Sequence, residues 1–197
     1  MLNIVLAGVG GQGTVLAAKV LAQAAAEKGW QVRTAETIGM SQRGGNVVSH
    51  VRMGNEGEPV YAPLVGHGTA ALVIAFEPAE GARCLPYLAP DGVLVSAKTA
   101  LQPVTVALSG KSYDPEAVLA HVQESLGPNQ RLIAVDDRAL CDAAGNRKVL
   151  NMVLLAKAIA TGTVPMTIDD LCDAVAVCVK PKFVDMNVAA IRAAAAE

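Results

Sequence analysis

"NIVLAGVGGQGTVLAAKVLAQAAAEKGWQVRTAE", residues 3–36, decides the fold. A short apolar run, "NIVLAG", stops at a glycine-rich turn, and an alanine-rich segment with helical spacing follows as far as Gly29. A glycine just past the last periodic residue is a helix C-cap signal, because the left-handed closing residue tolerates no Cβ easily. "WQVRTAE" then reads as a second strand. Strand, glycine turn, helix and strand make a βαβ unit, with parallel strands and a right-handed crossover.

Working outward, "NVVSHVRM" (46–53) and "PVYAPLV" (59–65) flank "GNEGE" (54–58) and read as a hairpin, an antiparallel excursion. Alternation then resumes. "ALVIAF" is a buried strand and "EPAEGARCLPYL" a helix whose Pro78 sits just inside its start, where a fixed φ suits. "GVLVSA" and "PVTVAL" are further strands. "YDPEAVLAHVQESLG" is a helix with Asp114 as N-cap, Pro115 at its first position and Gly127 beyond its end. "RLIAVDD" is the last strand, and from Arg138 the chain is helical: "RKVLNMVLLAKAIATG", "TIDDLCDAVAVCV" opened by a capping-box pair Thr167 and Asp170, and "PKFVDMNVAAIRAAAA", whose alanine tail looks frayed. The expected fold class is α/β: a three-layer Rossmann-like open sheet, mostly parallel with an antiparallel hairpin excursion, and a helical C-terminal third, in one domain over residues 1–197.

Composition limits the function. A net charge of −2 and a pI near 5.9 give no electrostatic footprint for nucleic acid or an anionic membrane. No run approaches the ~18 apolar residues of a membrane span. The start lacks a signal peptide's basic region and cleavage site, so a cytoplasmic location is expected. Charged residues are only 17%, against a usual ~25%. Either a partner covers an apolar surface, or the excess is helix alanine. Cys84, Cys141, Cys172 and Cys178 have no CxxC or cluster spacing, and His50, His67 and His121 no HxxxH, so no metal site is expected on this chain.

In an open α/β sheet, ligands meet the carboxyl ends of the strands. Gly8–Gly13 leaves the end of strand one and Thr37–Gly45 the end of strand two, so both belong on one edge, with Glu77, Lys98 and Thr99 approaching it from later strands. Gly8, Gly10 and Gly13 satisfy G-x-G-x-x-G between strand and helix, the pattern that seats a pyrophosphate on helix N–H groups, and Glu36 stands near the offset of a ribose-binding acid. On spacing alone, a dinucleotide site and a turn that merely packs helix on sheet are level. "TIGMSQRGG" (37–45) departs from a dinucleotide domain. Arg43 can fork onto a carboxylate or phosphate, while Gly44 and Gly45 let backbone N–H groups approach it; alternatively Arg43 pairs with Glu36 or a helix end.

"AGVGGQG", "GMSQRGGNVVSHVR", "IAFEPAEGARCLPYL" and "LNMVLLA" together resemble the beta subunit of indolepyruvate:ferredoxin oxidoreductase, equivalent to the gamma domain of the wider 2-oxoacid:ferredoxin oxidoreductases. The resemblance spans nearly the whole chain. It implies a complex that decarboxylates a 2-oxoacid, passes the acyl group to coenzyme A and reduces ferredoxin. It also implies a large partner subunit carrying thiamine diphosphate and the iron–sulfur clusters, with no cofactor bound tightly here. The strand ends and the resemblance together put Gly8, Gly10, Gly11, Gln12 and Gly13, with Ser41, Gln42, Arg43, Gly44 and Gly45, on loops facing an active site or its anion. The family fold is Rossmann-like without being known for dinucleotide binding, so the resemblance implies that the glycine motif serves close packing and the shaping of an active site or interface; the alternative is a stand-alone NAD-binding Rossmann protein. It implies a subunit inactive alone, with a homodimer possible in isolation. Two departures stand out: Ala70 and Ala71 where the family has Ala-Asp, and Ala156 where Gly is common.

Overall fold

The computed structural model describes residues 1–39, 45–101 and 113–197. Among them, six strands form one sheet in the order β2-β3-β1-β4-β5-β6. These are β1 (Leu2–Val9), β2 (Gln31–Ile38), β3 (Asn46–Gly54), β4 (Ala70–Ala75), β5 (Leu88–Ala97) and β6 (Arg131–Val135). β1, β4, β5 and β6 are neighbours in parallel, whereas β3 runs antiparallel to both β1 and β2. The strand "PVTVAL" lies outside the described residues.

The sheet corrects the expected pairing. β1 and β2 do point the same way, but β3 is inserted between them, so the antiparallel excursion is β2–β3. Residues 59–65 form no strand. Pro59 and Pro63 each lack a ladder donor, and side chains satisfy the backbone instead: Val60 N–H donates to Gln31 (3.1 Å), Val65 N–H to His50 Nδ1 (3.3 Å), and Arg52 donates to the Ala62 carbonyl (2.9 Å). Val60 and Val65 are buried while Tyr61 is 89% exposed.

One face of the sheet carries Ile4, Leu6, Val51, Met53, Leu72, Ile74 and Phe76 against α1 (Thr14–Glu27) and α5 (Leu150–Ala160), on which α6 (Ile168–Cys178) and α7 (Val184–Ala196) pack in turn. The other carries Val5, Ala7, Val73, Ala75 and Leu94 against α2 (Pro78–Cys84) and α3 (Pro115–Ser125). Each strand alternates its side chains between the two cores. α4 (Asp137–Ala143) leaves the end of β6 directly. α1 buries Ala17, Ala18, Leu21, Ala24 and Ala25, and its small alanine side chains permit close approach of its neighbours. α5 is buried almost all round, Ala156 included, as a helix covered on every side must be. Ala70 and Ala71 fall where the β4–β5 register shifts.

The local signals stand where the sequence puts them. Gly29 has φ +76°, the Asp114 and Glu77 carboxylates cap α3 and α2, and Thr167 and Asp170 form a reciprocal capping box. The alanine tail is not frayed: α7 runs to Ala196 and buries Ala190, Ile191 and Ala194 against the core. Among the described residues no helix is long and apolar enough to cross a membrane.

Candidate active-site edge

The glycine turn is built by two separate constraints. Gly11 (φ +102°) and Gly13 (φ +81°) adopt backbone that L side chains avoid. Gly8 has ordinary backbone but no room, because a Cβ there would stand 2.8 Å from Gln12 Oε1 and 3.1 Å from Phe76 Cβ. Gln12 folds back over the turn: Oε1 accepts from Val9 N–H (2.7 Å) and Nε2 donates to the Phe76 carbonyl (2.8 Å), clamping the ends of β1 and β4 together. Both polar groups of Gln12 are therefore engaged within the chain.

Gly10 N–H donates to the Gly45 carbonyl at 2.9 Å, which ties the entry to β3 against the turn. The two glycine-rich segments thus meet on one edge, as their strand ends require. Ser41, Gln42, Arg43 and Gly44 lie outside the described residues. The later strands converge here too. Lys98 and Thr99, just past β5, donate their backbone N–H groups to Asp137 Oδ1 at 3.0 and 2.9 Å. Glu77 follows β4 and is buried as the α2 cap, Oε2 accepting from Glu80 N–H while Oε1 has no partner. Burial raises the Glu77 carboxyl above its ordinary value, and burial does the same to Glu80 against the opposing pull of its partner Arg83. Burial and Glu80 push the nearby Cys84 thiol up to about 12, so it is no nucleophile.

A cleft of about 470 Å³ opens beside the turn, lined by Gly11, Gln12 and Gly13, by Leu16, Leu101 and Leu150, and by Thr99, Arg147, Lys148 and Asn151. Arg147, Lys148 and Asn151 are residues that sequence reasoning missed. Arg147 and Lys148 lie in a turn more than a hundred residues from Gly13 with nothing local to mark them, and Asn151 opens α5 within the "LNMVLLA" motif, which carries no sign of a contact with Gly13. Asn151, almost fully buried, donates to the Gly13 carbonyl at 3.4 Å. Asp137 is wholly buried: besides the two N–H groups on Oδ1, its Oδ2 accepts from Arg147 Nη2 at 3.1 Å. The first turn of α1 carries no acidic residue and no side-chain cap.

Comparison with known proteins places this architecture. The family described as "Pyruvate ferredoxin/flavodoxin oxidoreductase" matches residues 3–197. This chain belongs to that family. The chain is 35% identical to indolepyruvate oxidoreductase subunit IorB of Pyrococcus horikoshii over 95% of its length and 91% of the relative's. Against the IorB subunit of Archaeoglobus fulgidus it is 33% identical, covering 97% and 92% of the two chains. Among solved structures it resembles the gamma subunit of a keto/oxoacid ferredoxin oxidoreductase from Geobacter sulfurreducens (TM-score 0.70, 23% identity, 100% and 97% covered). It also resembles 2-oxoglutarate:ferredoxin oxidoreductase from Magnetococcus marinus, solved with 2-oxoglutarate, coenzyme A and succinyl-CoA (TM-score 0.75, 18% identity), covering 99% of this chain and 30% of that one.

In this oxidoreductase fold the glycine motif does not make a dinucleotide site. Glu36, the candidate ribose ligand, sits on β2, two strand spacings or about 9–10 Å from β1 because β3 intervenes. The Gly10 N–H that would approach a pyrophosphate is bonded to Gly45. Among the described residues no group of three His, Cys, Asp or Glu side chains could hold a metal, and the cysteines are free and dispersed. Three large apolar side chains stand exposed around the edge: Val15 at 45%, Ile38 at 65% and Leu101 at 46%. Val15 lines the same hollow as Val47, against which Ile38 is paired, and Leu101 lines the cleft.

Proposed function

We propose that this chain is the cluster-free subunit of a thiamine-dependent 2-oxoacid:ferredoxin oxidoreductase. Its single gamma-type domain spans residues 1–197 and works in the cytoplasm. The complex decarboxylates indolepyruvate or another aryl pyruvate, transfers the acyl group to coenzyme A and passes the electrons to ferredoxin. Thiamine diphosphate and the iron–sulfur clusters belong to a large partner subunit, and this chain is inactive alone. The observation that carries the reading is 35% identity to an indolepyruvate oxidoreductase subunit over 95% of the chain. The dispersed cysteines agree with clusters held elsewhere.

The partner docks over the carboxyl edge of the sheet, where Val15, Ile38 and Leu101 offer apolar surface beside the glycine turn. In isolation a second copy covers the same patch, giving a homodimer. The loops Gly8–Gly13 and Ser41–Gly45 then face the shared active site, with Arg43 as the donor to an anionic group.

Reassembly tests this. The chain mixed with the large subunit from its native host should reduce ferredoxin with indolepyruvate and coenzyme A, and neither subunit should do so alone. Arg43→Lys keeps the charge but loses the planar fork, so it should leave the melting temperature unchanged and lower the activity of the complex. Turnover by the large subunit unaided would refute the reading. An Arg43→Lys chain that melts early but supports full activity once assembled would refute the loop assignment.

A further inference from the structure

We propose that the outer edge of β2 is a self-pairing surface. A second copy of this chain docks its own β2 there, antiparallel, about a two-fold axis through Ala35, and the two sheets become one. The proposal deepens the homodimer reading above by naming the strand through which the copies meet, and it does not depend on the chemistry of the complex.

β2 ends the sheet, and among the described residues no strand pairs with its outer side. Its eight residues contain no proline and no lysine, and its ladder with β3 is regular from Gln31 to Ile38. Of the devices that usually blunt an edge, only the charges of Arg33 and Glu36 are present. β6, at the other edge, is five residues long. The hydrogen-bond parity of β2 is fixed at its end. Gly39 N–H donates to the Asn46 carbonyl at 2.9 Å and continues the β2–β3 register, so Gln31, Arg33, Ala35 and Thr37 turn their backbone groups inward to β3. Gly10 N–H on the Gly45 carbonyl gives the same alternation from the other side of β3, whose odd-numbered residues bond to β1 and whose even-numbered ones bond to β2. Val32, Thr34, Glu36 and Ile38 therefore direct their N–H and C=O groups outward, away from the sheet.

A two-fold axis normal to the sheet keeps each side chain on its own face, so a residue pairs only with one of the same parity. Centred on Ala35, the axis sets Val32 opposite Ile38 of the second copy and Thr34 opposite Glu36, and every outward residue of both strands is engaged. Centred on Thr34 it would set Val32 against a carboxylate, and centred on Glu36 it would set the two carboxylates against each other. The Ala35 register also covers exposed apolar surface. Val32 packs against the core on the α1 side, and Ile38, on the same face of β2, is 65% exposed. In the dimer each Ile38 lies beside the other copy's Val32 and extends that core. One repulsion remains, because the two Glu36 residues stand on a diagonal with Cα atoms about 7–8 Å apart. The contact is a single strand edge, roughly 27 Å long at ~3.4 Å per residue, so the dimer is weak and forms in the micromolar range.

Sedimentation equilibrium of the isolated full chain, with site-directed crosslinking, tests the edge. The wild type should pass from monomer to dimer as concentration rises. Thr34→Pro removes an outward N–H and leaves the inward ladder to β3 intact, so it should weaken association at least tenfold while the melting curve remains cooperative. Glu36→Gln removes the diagonal repulsion and should strengthen association severalfold. Ala35 lies on the axis as a non-hydrogen-bonded pair, with Cα atoms about 4.5 Å apart, a spacing that a disulfide spans. Ala35→Cys in a Cys178→Ser background should therefore crosslink to a dimer under mild oxidation, and Thr34→Cys in the same background should do so far less. If Thr34→Pro does not fold, the two cysteine variants decide alone. A chain that stays monomeric at every concentration with no Ala35→Cys crosslink overturns the proposal. So does a dimer indifferent to Thr34→Pro, or crosslinking that favours Thr34→Cys over Ala35→Cys. A monomeric chain whose Thr34→Pro variant fails only to assemble with the large subunit would give this edge to another protein and also overturn it. The assay needs neither partner nor turnover, so an Ala35→Cys dimer with a reassembled complex that is inactive would refute the preceding reading and leave this one standing.

Discussion

Alanine at Gly11 and at Gly13 separates the two constraints that build the turn. Both positions have positive φ, and a left-handed residue with a Cβ costs about 1–2 kcal/mol, partly offset by about 0.4–1 kcal/mol because alanine also restricts the unfolded chain. At Gly11 the added methyl meets nothing within 4 Å, so only this term acts and roughly 1 kcal/mol should be lost. At Gly13 the methyl would lie 2.6 Å from Asn151 Nδ2, on a side chain too buried to swing away, and overpacking adds about 1–3 kcal/mol. With about 2–4 °C per kcal/mol for a chain of this size, Gly11→Ala should lower Tm by about 2–4 °C and Gly13→Ala by about 5–15 °C. Thermal melts followed by circular dichroism read both. Asn151→Ala removes the obstruction, so in the double variant Gly13→Ala should cost at least ~1 kcal/mol less than in the wild-type background. Equal losses at the two glycines, or an additive cycle, would show that Asn151 does not constrain Gly13.

Three further outcomes follow from the same contacts. Burial holds the His50 imidazole below its ordinary value of 6.5, so the unfolded chain takes the proton first; stability should be full above about pH 6.5 and fall as pH drops towards the lowered folded value. Urea midpoints from pH 7.5 down to pH 5.5 read this, and His50→Gln should flatten the fall; an unchanged profile would reject the role of His50. Burial raises Glu77, so the stability tied to its protonated form is complete below the ordinary value of 4.5 and is lost as pH rises through the raised one. Glu77→Gln keeps the acceptor for Glu80 N–H and should be more stable than wild type at pH 7, with the gap closing towards pH 4; a less stable variant at pH 7 would contradict it. Thr167→Ala breaks the capping box of α6 and should cost about 1 kcal/mol, or about 2–4 °C in Tm, whereas Thr167→Ser should be nearly silent.

What the sequence determined by itself was everything whose cause is local. Gly29 closes α1, Pro78 opens α2, Asp114 and Thr167 cap their helices, and the glycine turn follows β1, because each depends on a few consecutive residues and their backbone preferences. The strand ends then fixed which loops share an edge, so Gly10 and Gly45 meet as direction alone demands. Tertiary structure decided which strand lies beside which. The alternation of Asn46–Gly54 fits a hairpin with the next segment as well as insertion between β1 and β2; burying Val47, Ser49, Val51 and Met53 on the face covered by α1 selects the second. That choice moved Glu36 away from the glycine turn. It was also tertiary packing that brought Arg147 and Lys148 to the cleft and buried Asp137 behind them. A surface pair of basic residues in a helical stretch reads as solvated whatever it faces; only the burial of α5 against the sheet, with Asn151 against Gly13, puts that turn at the start of α1.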